Sequence, residues 1–265
     1  MYLAELTFKV IADTDFDQAE AAIRCYMEAL IFNGQALGRE FPTAWQQDGF
    51  VSRIVLPATE SLKQQYHSQR GLAALQQLAT AGLGYPQLNV LGMDLMSNHN
   101  DPCASAPYYI LYSRFNDTCS PLRCGEHFAP VPLYLLPATK GDHEALIRWQ
   151  LQYQALDEIQ MQQNRVLNRS AERSLQQLHS QLNRQGRQLA NNLARLSQKP
   201  VYYTLYSGSS NNCALEASKP CPGCGGAWRL AEPLHQLFDF KCGRCHLLSN
   251  IAWDCQSPSD EQGVN

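Results

Sequence analysis

At 265 residues and a net charge of −3, the chain is long enough for one good core and a small appended module, and its overall charge does not advertise a polyanion partner. The first residues, Met1 to Val10, lack the basic start, apolar stretch and cleavage site of a secretory signal, and no apolar run approaches the ~20 residues that a membrane helix needs. The expected location is the cytoplasm with no membrane partner, and ten cysteines then read as thiols and metal ligands rather than bridges.

Met1 to Val10 alternates like a strand. The next segment, Phe16 to Leu37, sets Ala22, Cys25, Tyr26, Ala29 and Leu30 at helical spacing. Before it, Asp13, Asp15 and Asp17 alternate; the Gly and terminal Glu of a calcium loop are absent, so they read as a loop cap. Phe50 to Leu56 alternates again, which completes a β-α-β beginning. Ser61 to Leu83 reads as one or two helices, while Leu88 to Leu95 and Tyr108 to Tyr112 read as strands. No Gly-rich phosphate turn follows the first strand, so a nucleotide-binding fold lacks support and an α+β class with an N-terminal α/β domain fits best.

Asn98 to Pro107 is a loop by composition, and Pro121, Pro130, Pro132 and Pro137 cut the following stretch into short extended pieces. A central helical hairpin is expected over residues 142–197. Asp142 caps its first helix, with Leu146, Trp149, Tyr153 and Leu156 on one face, and the second runs from about Ser170 to Leu196. Leu175, Leu178, Leu182, Leu189, Leu193 and Leu196 share one sector of that second helix, and Arg169, Arg173, Arg184, Arg187 and Arg195 share the opposite one. Gly186 allows either a bend or the close approach of a neighbour. Val201 to Tyr206 reads as a strand, and Ser207 to Asn212 reads as a flexible connector, which divides an α+β domain at 1–206 from a C-terminal segment at 213–256. Short strands are expected at Trp228 to Leu230, Phe238 to Lys241 and Leu248 to Trp253, and residues 257–265 read as a disordered tail.

The C-terminal segment carries the sharpest signal. Cys221-Pro222-Gly223-Cys224 and Cys242-Gly243-Arg244-Cys245 are two Cys-x-x-Cys turns with seventeen residues between them, the separation that closes one tetrahedral thiolate site. Cys221, Cys224, Cys242 and Cys245 are therefore the expected ligands of a structural zinc in a small β zinc ribbon, with Gly225 and Gly243 supplying the backbone freedom of the turns. Four protein ligands leave no position for water or substrate, so the zinc is expected to staple and not to catalyse. Cys119, Cys124 and His127 form a smaller candidate metal set that needs a fourth ligand, and ordinary thiols are the stronger reading there. Cys213 and Cys255 flank the ribbon without such spacing and are read as spare.

Charge is uneven along the chain. Residues 1–139 hold 8 Lys/Arg against 13 Asp/Glu, while residues 140–199 hold 9 against 5. An attraction for nucleic acid would reside in that middle segment, with Arg173, Arg184, Arg187 and Arg195 tracking phosphates. Trp228, together with Trp253, is either core packing, the stronger reading, or a stacking platform for bases, and Arg229 and Arg244 lie near the rings in sequence.

Ser120-Pro121-Leu122-Arg123-Cys124-Gly125, Val131-Pro132-Leu133-Tyr134, Trp149, Tyr153 and Asp157, Gly186-Arg187, Pro200 with Tyr202-Tyr203, and the cysteine turns together form a recognisable pattern. Over roughly residues 105 to 255 the chain resembles uncharacterised bacterial zinc-ribbon-containing proteins described as candidate nucleic-acid binders. In that pattern a second cysteine often completes the Arg-Cys-Gly turn where this chain has His127, and the resemblance implies no catalytic residues.

The reading that results is a non-enzymatic zinc-ribbon binding protein for single-stranded nucleic acid or RNA, with a protein-protein interaction module as the alternative. Hydrolase or transferase chemistry in the acidic N-terminal region would require a deep pocket with carboxylates of perturbed pKa.

Overall fold

The computed structural model describes residues 1–39, 41–103, 105–138, 141–162 and 166–255. The predicted tail at 257–265 lies outside the described residues. The fold is mixed α+β with two sheets, and the chain divides into two compact units. The first comprises Met1–Ala104, Thr118–Leu122 and Ala129–Ile147; the second comprises Ser105–Asp117, Arg123–Phe128 and Arg148–Asn265.

In the first unit β1 (Tyr2–Lys9) is followed by α1 (Phe16–Phe32), β2 (Thr43–Gln46), β3 (Gly49–Leu56), α2 (Gln69–Thr80) and β4 (Gln87–Met93). The sheet order is β2-β3-β1-β4, and β1 pairs antiparallel with both β3 and β4. Alternation in β1 puts Ala4, Leu6 and Phe8 inside, where they meet Ile23, Tyr26 and Leu30 of α1 and Leu78 of α2 in one core. Asp15 is the cap of α1, its side chain accepting from the Asp17 amide at 3.0 Å. The region from Ser61 to Leu83 yields a single α-helix, α2, with Ser68 as its cap. α1 stops at Phe32 and not at Leu37, because Gly34 turns the chain at φ +71° and Leu37 bridges to Val55.

The second unit begins with β5 (Tyr109–Leu111); β6 (Leu122–Cys124) joins its sheet at the edge. Then come α3 (Glu144–Met161), α4 (Asn168–Gln176), α5 (Gln181–Ser197), β7 (Val201–Leu205), a short α6 (Cys213–Glu216), β8 (Arg229–Leu234), β9 (Phe238–Cys242) and β10 (Leu247–Ser249). The expected second hairpin helix is two helices. Ser180 accepts from the Asn183 amide and starts α5, while the Asn183 side chain donates to the Leu175 and Gln177 carbonyls that the break leaves open. Gly186 is not the bend. It lies inside α5 because a Cβ there would stand 2.3 Å from the Tyr203 ring and 2.6 Å from Trp149 Nε1.

The sheet order is β6-β5-β7-β10-β9-β8, so one sheet holds strands from both sides of the expected connector. β10 pairs in parallel with β7, Leu247 opposite Tyr203 and Ser249 opposite Leu205, so the cysteine-bearing strands extend the sheet that β5 and β7 begin. Ser207 to Asn212 is likewise pinned. Asn250 Oδ1 accepts from the Ser207 amide at 3.0 Å and its Nδ2 donates to the Ser207 carbonyl at 2.8 Å, while the Asp254 carboxylate accepts from the Ser210 amide.

Candidate metal centre

The first cysteine turn precedes β8, and the second joins β9 to β10. Antiparallel pairing of Cys242 with Leu247 folds the second turn back on itself, and Lys241 N donating to the Trp228 carbonyl at 2.8 Å brings the first turn alongside. Within the first turn Cys221 N donates to the Gly226 carbonyl at 2.9 Å and Gly225 N to the Cys221 carbonyl at 2.8 Å, with Gly225 at φ +72°. In the second turn the left-handed residue is His246, at φ +49°, and not Gly243. Gly223 is where the turns touch, since a Cβ there would lie 2.8 Å from Cys245 Sγ.

The outcome is that the sulfurs of Cys221, Cys224, Cys242 and Cys245 all fall within 4.8 Å of one another, and all four are free of disulfides. Cys224 Sγ and Cys242 Sγ stand 3.7 Å apart, against about 3.8 Å for two thiolates at tetrahedral corners ~2.3 Å from a zinc ion. A disulfide needs ~2.05 Å, so this spacing is that of co-ligands. Electrostatics agree. The Gly226 amide pulls Cys224 down to about 7, whereas burial pushes the Cys221 thiol up and, with the neighbouring thiols, lifts Cys245 to about 12. Four sulfurs this close cannot all ionise against one another; a divalent cation removes that conflict and deprotonates the set. The donor set therefore fits a closed metal site, and Cys221, Cys224, Cys242 and Cys245 are the residues that would hold the ion.

Cys213 and Cys255, read as spare, are joined in a disulfide that closes the cysteine segment at its two ends. Trp228 is not an open platform. It is 4% exposed, its ring stacks on Phe240 at 5.0 Å and its Nε1 donates to the Lys219 carbonyl at 3.0 Å, so no face is left for a base. Arg229 is drawn to Asp239 at 3.4 Å and lies over Phe240, while Arg244 is exposed on the second turn. Cys124 and His127 remain neighbours in the second unit, Sγ to Nδ1 3.9 Å, whereas Cys119 is buried in the first unit beside Asn98.

The leucine stripe is buried at Leu175, Leu178, Leu182 and Leu193, and Arg173, Arg184 and Arg195 are exposed as expected, with Arg187 half-buried. The stripe is split between α4 and α5, however, and α5 packs on the Tyr203 face of β7. Strand alternation sends Tyr202 to the other face of the sheet, so the helix arginines and the aromatic groups around Tyr202 are on opposite sides.

On that other side is a cluster that sequence reasoning missed. Lys241 Nζ stands 4.4 Å from the centre of the Tyr108 ring and 4.8 Å from that of Tyr202, and Tyr202 meets His246 edge-on at 5.3 Å. Tyr108, Tyr202, Lys241 and His246 are all half-exposed, and burial holds Lys241 below its usual range. Gly125 is required here: a Cβ would fall 2.2 Å from the Tyr108 ring, and its amide donates to the Tyr108 carbonyl at 2.9 Å. The only sequence trace was the Tyr202-Tyr203 pair, in which one ring must face in and the other out.

Among the described residues no helix is long and apolar enough to cross a membrane. Three families, each described as a domain of unknown function, match the chain: DUF8589 over residues 1–92, DUF2310 over 103–206 and DUF8594 over 210–255. A Haemophilus influenzae protein called "Uncharacterized protein" is 32% identical over 260 residues, which is 96% of this chain and 99% of the relative. A second from the same organism, with the same description, is 33% identical over 174 residues, 65% of this chain and 85% of that protein. A solved structure described as an antibiotic biosynthesis monooxygenase from Deinococcus radiodurans reaches a TM-score of 0.27 at 9% identity, covering 37% of this chain and 97% of that one, too slight a likeness to carry a fold or an activity.

Proposed function

The chain belongs to the family of these Haemophilus influenzae proteins, and on that premise we propose that it is a zinc-holding binding protein whose ligand is single-stranded nucleic acid. Cys221, Cys224, Cys242 and Cys245 form a zinc ribbon in this reading, and the observation that supports it is the set of four free sulfurs within 4.8 Å of one another. Zinc supplies a structural cross-link there, with every ligand position filled by protein, so the chain acts by binding rather than as an enzyme.

The nucleic-acid ligand is supported by the face beside the second cysteine turn. Tyr108 and Tyr202 offer half-exposed rings, and Lys241, held between them, and Arg244, exposed on the second cysteine turn, offer charge for phosphates. This is a smaller and differently placed surface than the arginine stripe, which lies across the sheet from it. Stacking on a tyrosine is worth about 1–3 kcal/mol per base, so two rings and two cations suit a short single-stranded stretch. Fluorescence anisotropy of labelled single-stranded RNA and DNA on the zinc-loaded protein tests it. Binding that weakens with salt and is lost in Lys241→Glu and Tyr202→Ala, but not in Arg184→Glu/Arg187→Glu, supports the face. Absence of binding at low salt rejects the ligand and leaves the zinc ribbon standing.

Protein docking is a second reading, favoured by one observation in the first unit. β4 is the edge of its sheet and exposes Val90, Leu91 and Met93 at 38%, 44% and 54%. A concentration-dependent mass in light scattering that Leu91→Lys abolishes would favour it.

A further inference from the structure

Within the second unit a cleft of about 1210 Å³ is bounded by the C-terminal half of α3, the start of α4, the end of β7 and the Phe238 end of β9. Tyr112, Phe115, Tyr206 and Trp253 are among its walls. Into this aromatic setting α3 places Asp157, only 7% exposed. Its carboxylate accepts one hydrogen bond, from the Phe115 amide at 2.8 Å, and among the described residues no lysine or arginine forms an ion pair with it. Burial pushes its pKa up, as expected of a carboxylate deprived of both water and a counter-charge. Two more acceptors, Gln160 Oε1, whose amide lies beside the Tyr206 hydroxyl, and Asn168 Oδ1, are buried in the same lining, and among the described residues neither oxygen accepts a hydrogen bond.

We propose that this cleft binds a small organic cation bearing a protonated amine or guanidinium, with Asp157 as its counter-ion, Gln160 and Asn168 as further acceptors, and the surrounding rings as cation-π partners. The chemistry discriminates against the other classes. A hydrocarbon would leave Asp157 without a counter-charge and Gln160 Oε1 and Asn168 Oδ1 without donors, at the cost attached to buried polar groups that lack partners. An anion would meet Asp157 head-on. A hard divalent metal ion needs several oxygen ligands with more than one carboxylate among them, and Asp157 is the one carboxylate among the described residues of the lining. The two arginines of the cleft do not change this: Arg114 lies 3.7 Å from Asp117, and Arg169 is exposed to solvent, where salt screens it. The cleft shares no residue with Tyr108, Tyr202, Lys241 and Arg244, so this site is independent of nucleic-acid binding.

Thermal shift and calorimetry with tyramine, agmatine and spermidine, against N-acetyltyramine as a neutral mimic and 4-hydroxyphenylacetate as an anionic one, test the proposal on the full chain. At least one amine is expected to raise the melting temperature at millimolar concentration, with no response to the neutral or anionic mimic. Asp157→Asn keeps an acceptor for the Phe115 amide, and therefore the fold, and is expected to weaken the amine by roughly tenfold or more. Trp253→Ala, at a ring 48% exposed, is expected to weaken it less. Failure of every amine, equal stabilisation by N-acetyltyramine, preference for the anion, or unchanged affinity in Asp157→Asn would each overturn the assignment. Circular dichroism of the two variants separates a lost ligand from a lost fold.

Discussion

The two sheets are held together by different means. β1 to β4 are close-paired antiparallel strands backed by two amphipathic helices, and the alternation of β1 alone delivers three core residues, Ala4, Leu6 and Phe8. β8 to β10 are short, and β8 is exposed or half-exposed along its whole length. The second set also buries Phe238, Phe240, Leu247 and Leu248, and to that apolar contact it adds four sulfurs that could hold a metal, a disulfide and the β7 pairing. Removing metal should therefore split the molecule's response. Closed thiolate sites contribute on the order of 10 kcal/mol in small peptides, so metal chelation or Cys221→Ser/Cys224→Ser is expected to give the largest effect of any single change. Hydrogen exchange should show β8 to β10 losing protection while β1 to β4 keep theirs. Uniform loss in both sheets would erase the contrast.

The reciprocal change is in the first unit. Leu6, 1% exposed, sits in its core, and Leu6→Ala is expected to cost about 2–5 kcal/mol, read as a drop in the denaturant midpoint. Metal retention, measured as metal per chain, should not change. A variant that sheds metal would mean that the apolar sheet supports the thiolate site after all.

A smaller effect lies where α5 meets β7. Gly186→Ala adds a methyl group 2.3 Å from the Tyr203 ring and 2.6 Å from Trp149 Nε1, which overpacking of this kind makes unfavourable by about 1–3 kcal/mol. Helix propensity acts in the opposite direction by about 1 kcal/mol. A net loss of stability in thermal unfolding is expected, and a gain would mean that the Trp149 ring can move aside.

What could be read from the chain follows the same division. The helices and the β1 and β3 strands carry their own periodicity, so Phe16 and Phe50 were legible locally, while Asp13, Asp15 and Asp17 read only as a loop cap and the structure singles out Asp15. Cys221, Cys224, Cys242 and Cys245 were legible because ligand spacing is a local property of the two turns. The parallel pairing of Leu247 with Tyr203 joins segments more than forty residues apart, and nothing in either strand names its partner. The families that match at 103–206 and 210–255 divide where the sequence reading did, yet the sheet runs across that division. The same non-local pairing hid the face that Tyr108, Tyr202 and Lys241 form and the cleft around Asp157. Of the two readings of Trp228, core packing is the one the structure shows, against Phe240, a neighbour in space that its basic neighbours in sequence do not announce.

Asp157 gives the smallest effect and the only one of opposite sign. Its folded pKa is raised by burial, so between the unfolded carboxylate value and the folded one the native state binds more protons than the unfolded state. Stability falls as pH rises through that window, and at neutral pH the ionised side chain is a burden on the ligand-free protein. Asp157→Asn removes that burden while its amide oxygen still accepts from the Phe115 amide. The variant is expected to be more stable than the parent by about 0.5–2 kcal/mol near pH 7, with the gain shrinking as pH is lowered toward 4. Thermal unfolding across that range checks the sign. A residue that weakens the fold where it stands, inside an aromatic cleft, is what a ligand-binding carboxylate should look like before its cation arrives. If Asp157→Asn instead loses stability at neutral pH, the carboxylate is holding the second unit together and a structural role accounts for its place.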